Sequence, residues 1–310
     1  MKCSRSEKKE CTTLDKETNL ELAFEKDTGK WVESGALYVV ATPIGNLSDI
    51  SERALAVLRE VDFIAAEDTR VSGKLLSLLL PGVKKSIVNY FEHNKGVMGE
   101  RVIERLLNGE SCAIVTDAGT PAVSDPGEDL VRLAHEKGVK VVPIPGSCAA
   151  VTALSASGMP SVRFTFEGFL PRAGKEKKER LEECASEKRT MIFYEAPHRI
   201  AKTLAEMKEY FGDRRLFIAR ELTKLNEELY TTTLSEALSA FESKEPKGEF
   251  VLVIEGKKEN ADDAFWKSMT IEEHVDFYTE KGLSSMDAIK QTAKDRGVAK
   301  NQIYKAVMKK

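Results

Sequence analysis

Between positions 112 and 127 an apolar, β-branched run, Cys112-Ala113-Ile114-Val115, gives way to Thr116-Asp117-Ala118-Gly119-Thr120-Pro121 and then to a second breaker, Ser124-Asp125-Pro126-Gly127. The run reads as a buried strand, and the amphipathic pattern resuming at Glu128 predicts a helix. A strand that leaves into a long loop of small residues, rather than a tight turn, has backbone N–H and C=O groups in need of partners. Gly119 allows close approach to the main chain, and Pro121 and Pro126 hold the loop's shape without donors of their own. An ordinary strand-to-helix connection would fit the same residues. The ligand-binding reading gains from position, because ligands of α/β sheets sit outside the carboxyl ends of the strands.

The same grammar recurs along the chain. Leu37 to Ala41 reads as a buried strand ending at Thr42-Pro43-Ile44-Gly45-Asn46-Leu47, and Ser48-Asp49 offer cap chemistry for a helix carrying Ala54, Leu55, Val57 and Leu58. Phe63 to Ala66 ends in Glu67-Asp68-Thr69-Arg70; an apolar helix, a strand at Ile87–Val88, the segment Tyr90–Asn94 and a helix around Glu100–Leu107 lead into the central strand. A helix to His135 and a strand over Val139–Val142 follow. This βαβα alternation predicts a parallel sheet with helices on both faces. Pro143-Ile144-Pro145-Gly146 punctuates the chain, and beyond it come a small-residue helix over Ser147–Ser157, strands at Phe164–Phe169, Met191–Tyr194, Leu216–Ala219 and Phe250–Ile254, and helices to Tyr210 and near Leu234–Phe241. The expectation is an α/β protein of two α/β domains, 35–146 and 147–257. A poorly ordered extension over 1–34 precedes them, and a small helical C-terminal appendage over 258–310 follows.

Composition narrows the classes. A net charge of −3 over 310 residues excludes a uniformly basic nucleic-acid binder while leaving local basic patches open. Cys3, Cys11, Cys112, Cys148 and Cys184 form no C-x-x-C and have no histidine at zinc spacing, which reads as reduced cytosolic thiols. No apolar run is long enough to span a membrane and no signal-peptide core is present, so a cytoplasmic protein is expected. His93, His135, His198 and His274 are isolated, and no metal site is expected. G-x-S-x-G, G-x-G-x-x-G, the P-loop pattern and the glycine loop usual in Rossmann-type methyltransferases are all absent. The four polar loops Thr42–Leu47, Glu67–Arg70, Asp117–Gly127 and Glu195–Arg199 each follow an apolar strand and are expected to converge on one cleft.

The loop motifs, together with Glu92-His93-Asn94, Phe193-Tyr194-Glu195-Ala196-Pro197-His198-Arg199 and Ala219-Arg220-Glu221-Leu222-Thr223-Lys224, resemble the tetrapyrrole methylase superfamily, and within it the branch that methylates small-subunit ribosomal RNA. The resemblance runs in order over roughly residues 35–257. It implies S-adenosylmethionine in a cleft between two α/β domains of a homodimer, and methyl transfer to the ribose 2′-oxygen of a decoding-region cytidine in 16S ribosomal RNA, either free or in the small ribosomal subunit. By position it implies that Pro43 approaches the cofactor, that Gly119, Thr120 and Pro121 cradle it with Val123 behind, that the turn through Cys148 and Ala149 faces it, and that Tyr194 and Glu195 close it from the second domain. Ser147 and Cys148 stand where the family usually has proline and serine, and a thiol is a weak hydrogen-bond partner.

A sulfonium methyl is already electrophilic, so the chain has chiefly to align the reactants and accept the hydroxyl proton. His93, Asp68 and Glu67 are the candidates for that proton; Glu67 or Asp68 would equally serve to cap a helix or pair with Arg70. Arg70, His198, Arg199, Arg220 and Lys224, with Arg172 and Lys175 of the basic run 172–180, are the expected RNA contacts. The glutamates interleaved in that run also fit a solvated helix face. Two other readings remain at this point: a tetrapyrrole C-methyltransferase of the corrinoid or sirohaem pathway, and a non-catalytic RNA-binding assembly protein.

Overall fold

The structure, a computed structural model, describes residues 31–242, 246–258 and 265–308. Strands β1 (Leu37–Val40), β2 (Phe63–Ala66), β3 (Ser86–Asn89), β4 (Cys112–Val115) and β5 (Val141–Ile144) form an all-parallel sheet in the order β3-β2-β4-β1-β5. Successive strand side chains point to opposite faces, and the sequence alternation is sorted accordingly. Tyr38, Val40, Ile64 and Ala66 pack with Ala54, Val57 and Leu58 of α1 (Glu52–Glu60) and Leu76 of α2 (Thr69–Leu79). Leu37, Phe63 and Ala65 pack on the other face with Ile103 and Leu106 of α3 (Lys95–Leu107) and Leu130 and Ala134 of α4 (Glu128–Glu136). β5 lies two residues beyond the strand expected at 139–142. Its Pro143, opposite Val39, sits on an edge strand, where a missing N–H is tolerated.

The second sheet is mixed. α5 (Ala149–Ser157), β6 (Phe164–Phe169), α6 (Lys175–Ala185), β7 (Thr190–Glu195), α7 (Ile200–Phe211), β8 (Arg215–Arg220), β9 (Glu228–Thr233), α8 (Leu234–Glu242) and β10 (Phe250–Ile254) follow in order. The strands lie as β6-β7-β10-β8-β9, with only β6 and β7 parallel. The segment 195–199 therefore leaves a different sheet from the other three polar loops and reaches them from across the cleft. β9 has no counterpart in the sequence reading: Glu228-Leu229-Tyr230-Thr231-Thr232-Thr233 is largely exposed and lacks apolar alternation, its strand signals being Tyr230 and the β-branched threonines. Leu181 of α6, Leu204 and Met207 of α7 and Leu234 of α8 cover one face of this sheet; Ala150, Ala153 and Leu154 of α5 cover the other.

The last helices, α9 (Ile271–Glu280), α10 (Ser285–Asp295) and α11 (Lys300–Val307), close on Val275, Ile289, Ala293 and Ile303. Thr270 opens α9 with a capping box and Ser284 caps α10. His274 is fully buried there, stacked on Trp266 and accepting at Nδ1 from Arg296 Nε at 3.1 Å. Residues 31–34, grouped with the extension in the sequence reading, are packed: Val32 is buried, Trp31 N donates to Glu60 at 2.9 Å, and Ser34 Oγ donates to Gly109 O at 2.6 Å. The rest of that extension lies outside the described residues.

Candidate active site

A cleft of about 500 Å³ opens where the carboxyl ends of β2 and β4 face the end of β7 and the start of β10, within the usual range of small-molecule sites. Antiparallel pairing of β10 with β7 sets Phe250 opposite Glu195 and brings Glu249, Phe250 and Val251 to the lining. No lysine or arginine lines the cleft among the described residues; its ionisable lining is Glu67, Asp117, Asp125, Glu195, Glu249, Tyr194, Cys148 and His198.

The loops of the first sheet are stitched together at this edge. Thr42 N donates to Gly119 O at 2.8 Å and Gly119 N to Thr42 O at 3.1 Å, while Thr120 Oγ1 donates to Ser147 O at 2.9 Å. Gly119 adopts φ 93°, a left-handed conformation that favours glycine. Its main-chain N–H and C=O, expected to cradle a ligand, are thus engaged with Thr42. Pro43 and Pro121 are buried and do not line the cleft, whereas Ile44, Thr120 and Val123 do.

Three carboxylates meet on this wall. Glu67, at the end of β2, accepts from the buried Thr116 hydroxyl at 2.8 Å. Asp125 is pushed up to about 6, first by burial and then by Glu67; the Thr116 hydroxyl opposes that rise and Asp117 adds to it. Asp117 is raised for the same two leading reasons, partial burial and Glu67. A carboxyl held near 6 keeps more proton affinity than an ordinary aspartate while remaining ionised at neutral pH.

The facing wall is aromatic. Tyr194 meets Phe166 and Phe169 in T-shaped contacts with ring centroids 5.1 and 5.5 Å apart. Its hydroxyl accepts from Ala150 N at 3.1 Å, at the start of α5. That bond supplies what Cys148 does not, since Cys148 makes no side-chain cap to the helix. Cys148 and Ala149 line the cleft beside it. Glu195 also lines it, but its side chain is buried and fully used: Oε1 accepts from Ala196 N at 2.8 Å, Oε2 from Thr203 Oγ1 at 2.5 Å, and Arg199 Nε lies 3.2 Å away. Glu195 therefore organises the turn to α7.

Of His93, Asp68 and Glu67, the cleft takes in only Glu67. Asp68 caps α2 and pairs bidentately with Arg70, and those hydrogen bonds hold its carboxyl at about 2, which leaves little affinity for a proton. His93 is exposed, edge-on to Phe91, outside the lining. Of the expected RNA contacts, His198 is exposed within the cleft, and Arg70 stands outside it with 89% of its side chain exposed. Arg199 donates to Leu170 O at 2.8 Å, Arg220 pairs with Glu228 at 2.7 Å, and Lys224 spans Glu221 and Glu249 at 2.9 and 2.8 Å. The run 172–180 is laced with ion pairs: Lys175–Glu179, Lys178–Glu182, Arg180–Glu183, and the buried Lys177 with Glu206. Arg172 is exposed and has no ion-pair partner among the described residues. Asp125, Asp117, Phe169 and Glu249–Val251 were not singled out as site residues beforehand. Asp125 had a signal in its Ser-Asp-Pro-Gly breaker and Asp117 in its place just after the strand Cys112–Val115; Phe169 and Glu249–Val251 depend on strand pairing.

Residues 36–238 match the tetrapyrrole (corrin/porphyrin) methylases, and the chain belongs to that family. Among curated proteins it is similar to the ribosomal RNA small subunit methyltransferase I of Halalkalibacterium halodurans, 48% identical over 274 residues, which span 88% of this chain and 94% of the relative. It is also similar to that of Bacillus subtilis, 45% identical over 277 residues with the same coverage. The resemblance read from the loop motifs is borne out. The solved structure of cobalt precorrin-4 methyltransferase, a cobalamin biosynthetic enzyme, aligns with a TM-score of 0.52 over 71% of this chain and 94% of its own at 18% identity, a likeness of fold. No helix among the described residues is long and apolar enough to cross a membrane.

Proposed function

We propose that this chain, as a cytoplasmic homodimer, transfers a methyl group from S-adenosylmethionine to the ribose 2′-oxygen of a decoding-region cytidine in 16S ribosomal RNA. The observation that carries the reading is the pairing of an acidic wall, Glu67, Asp117 and Asp125, with an aromatic wall, Phe169 and Tyr194, across one cleft. The donor set fits a cofactor that bears a sulfonium and an ammonium: carboxylates line the cleft, and among the described residues no lysine or arginine does. The same charge disfavours a polycarboxylate tetrapyrrole as substrate, since like charges in a partly buried cleft repel. Relatives named for ribosomal RNA support the RNA reading.

When bound, the cofactor supplies an already activated methyl group. Cys148, Ala149, Thr120 and Val123, which line the cleft, would hold it, and Tyr194 fixes the start of α5. The sulfonium would give its methyl to the ribose 2′-oxygen and keep the electron pair of the broken carbon–sulfur bond, so the chain's own part is to align that oxygen and take its proton. The hydroxyl proton passes to Asp125 and then to solvent. Asp125 replaces His93 and Asp68 as the acceptor because it lines the cleft and keeps proton affinity that the ion-paired Asp68 has lost. Positioned proton acceptors contribute about 10²–10⁴-fold. Phosphates would stay outside the cleft and meet exposed guanidinium groups such as Arg70 and Arg172.

The test is methyl transfer from labelled S-adenosylmethionine to unmodified small ribosomal subunits and to naked 16S ribosomal RNA, with the product nucleotide mapped. One 2′-O-methylated cytidine upholds the reading. Cofactor binding without transfer to either RNA overturns it in favour of a non-catalytic role.

A further inference from the structure

Phe169 lines the cleft with 54% of its surface exposed, although a phenyl ring gains from burial. The backbone is specially shaped to put it there. The parallel register of β6 on β7 slips between Phe166 and Gly168, and such a bulge re-aims the side chains around it. Gly168 has φ +60°, and a Cβ at that position would lie 2.8 Å from Ser124 Oγ, so the bulge is seated directly on the central loop of the other sheet. Ser124 is itself left-handed at φ 60°, an uncommon conformation for a residue other than glycine, and the next residue is Asp125. A glycine-bearing bulge and the uncommon backbone of Ser124 thus meet at one contact, with Phe169 emerging into the cleft on one side and Asp125 on the other.

The ring is held without being covered. Tyr194, pinned through its hydroxyl to Ala150 N, meets Phe169 at an interplanar angle of 64°, and no ring stacks on Phe169 among the described residues. Arg172, exposed and without an ion-pair partner among the described residues, follows three positions on. We propose that Phe169 is a stacking platform for a nucleobase admitted to the cleft. The proposal rests on the methyltransferase reading above and deepens it. The ligand chemistry is a planar heteroaromatic ring, which has two sources: the base of the target nucleotide and the adenine of the cofactor. The nearness of Arg172 to the platform favours the target base, whose phosphate would lie beyond it.

The experiment compares full-length F169L, which keeps apolar bulk, and F169Y, which keeps the aromatic face, with the unaltered protein. The readouts are the dissociation constant for S-adenosylmethionine and KM and kcat for unmodified small subunits. We expect F169L to raise KM for subunits about tenfold, within the range for losing one base–aromatic stack, with cofactor affinity unchanged and F169Y near the unaltered protein. A loss of cofactor affinity in F169L that F169Y restores also upholds the platform and assigns it to adenine. F169L without change in either readout, or F169Y as impaired as F169L, overturns it. Failure of the unaltered protein to methylate any RNA sinks the functional reading by itself; the platform is then decided on cofactor affinity in F169L, where a loss upholds it and no change overturns it.

Discussion

The backbone N–H of Asn46, in the loop after β1, donates to the hydroxyl of Thr223 at 3.2 Å, joining segments 177 residues apart at the mouths of the two sheets. Thr223 is held at φ 67° and Glu221 at φ 51°. A β-branched residue in the left-handed region is a true outlier, of the kind that clusters at ligand clamps. The surrounding bonds hold it in place: Thr223 N donates to Glu227 Oε2 at 2.6 Å, and Lys224 ties Glu221 to Glu249 of the cleft.

Gly45 is what lets the two loops meet. A Cβ there would lie 2.5 Å from Lys224 Cγ, 2.8 Å from Thr223 Oγ1 and 3.1 Å from the Leu222 carbonyl. The lysine chain can swing away, but the backbone oxygen cannot. Gly45→Ala is therefore expected to cost about 1–3 kcal/mol, as overpacking does, and to weaken S-adenosylmethionine binding by displacing Ile44 from the cleft. Urea unfolding and equilibrium dialysis measure the two effects. A variant as stable as the unaltered protein would show that the loops separate freely.

Asp125 carries opposed effects on stability and activity. Its folded value of about 6 lies above the ordinary 3.8. By linkage, ionising it costs folding free energy: the contribution is most favourable below pH 3.8 and is lost as pH rises through 6. Asp125→Asn is expected to raise the melting temperature at pH 7.5 by about 1–2 °C, the response of a chain of this size to ~1 kcal/mol. It should also lower kcat by about 10²–10⁴-fold. In the unaltered protein kcat should fall as pH drops below about 6, and that acid limb should vanish in the variant. An unchanged kcat with the acid limb intact would remove Asp125 from the reaction.

Arg70 gives a test that leaves the cofactor alone. It is largely exposed at the start of α2, and its one side-chain partner among the described residues, Asp68, keeps a second role as helix cap. Arg70→Ala is expected to raise KM for small subunits and to reduce the slope of log affinity against log salt by about 1, the signature of one lost phosphate contact. S-adenosylmethionine affinity should not move. An unchanged salt slope would mean that the guanidinium serves only Asp68.

These tests separate what the sequence made legible from what it did not. The buried runs Leu37-Tyr38-Val39-Val40 and Cys112–Val115 carried their own strand assignments, because apolarity and β-branching are local properties. The cap role of Asp68 was also open to reading from Asp-Thr-Arg. β5 was displaced because Pro143 reads as a breaker until its place on an edge is known. Phe169 and Glu249 escaped notice for a different reason: a register slip against β7 and the antiparallel return of β10 bring them to the cleft, and only the slip leaves a local mark, Gly168 inside the strand run. Asp125 was visible as a residue, but its proton affinity comes first from burial in the folded cleft and then from Glu67, neither of which is local in sequence.

The buried His274 makes the C-terminal helices sensitive to acid. Burial, and then the Arg296 guanidinium, lower its pKa from the ordinary 6.5, against the opposing pull of Asp295 Oδ2 at 3.3 Å from Nε2. Because the folded value is depressed, the stability that neutral His274 contributes is fully present above pH 6.5. It is lost as pH falls below 6.5 toward the folded value, the unfolded chain binding the extra proton in that window. One proton corresponds to a slope of up to about tenfold in the opening equilibrium per pH unit. Amide hydrogen exchange over residues 270–307, after correction for intrinsic rates, should therefore show greater opening at pH 5.5 than at pH 7.5, while β4 and β10 stay protected. His274→Phe keeps the ring against Trp266 but loses the acceptor for Arg296, so it should be less stable at pH 7.5 yet flat across the same window. If the unaltered helices open equally at both pH values, the imidazole is not what ties α9 to α10.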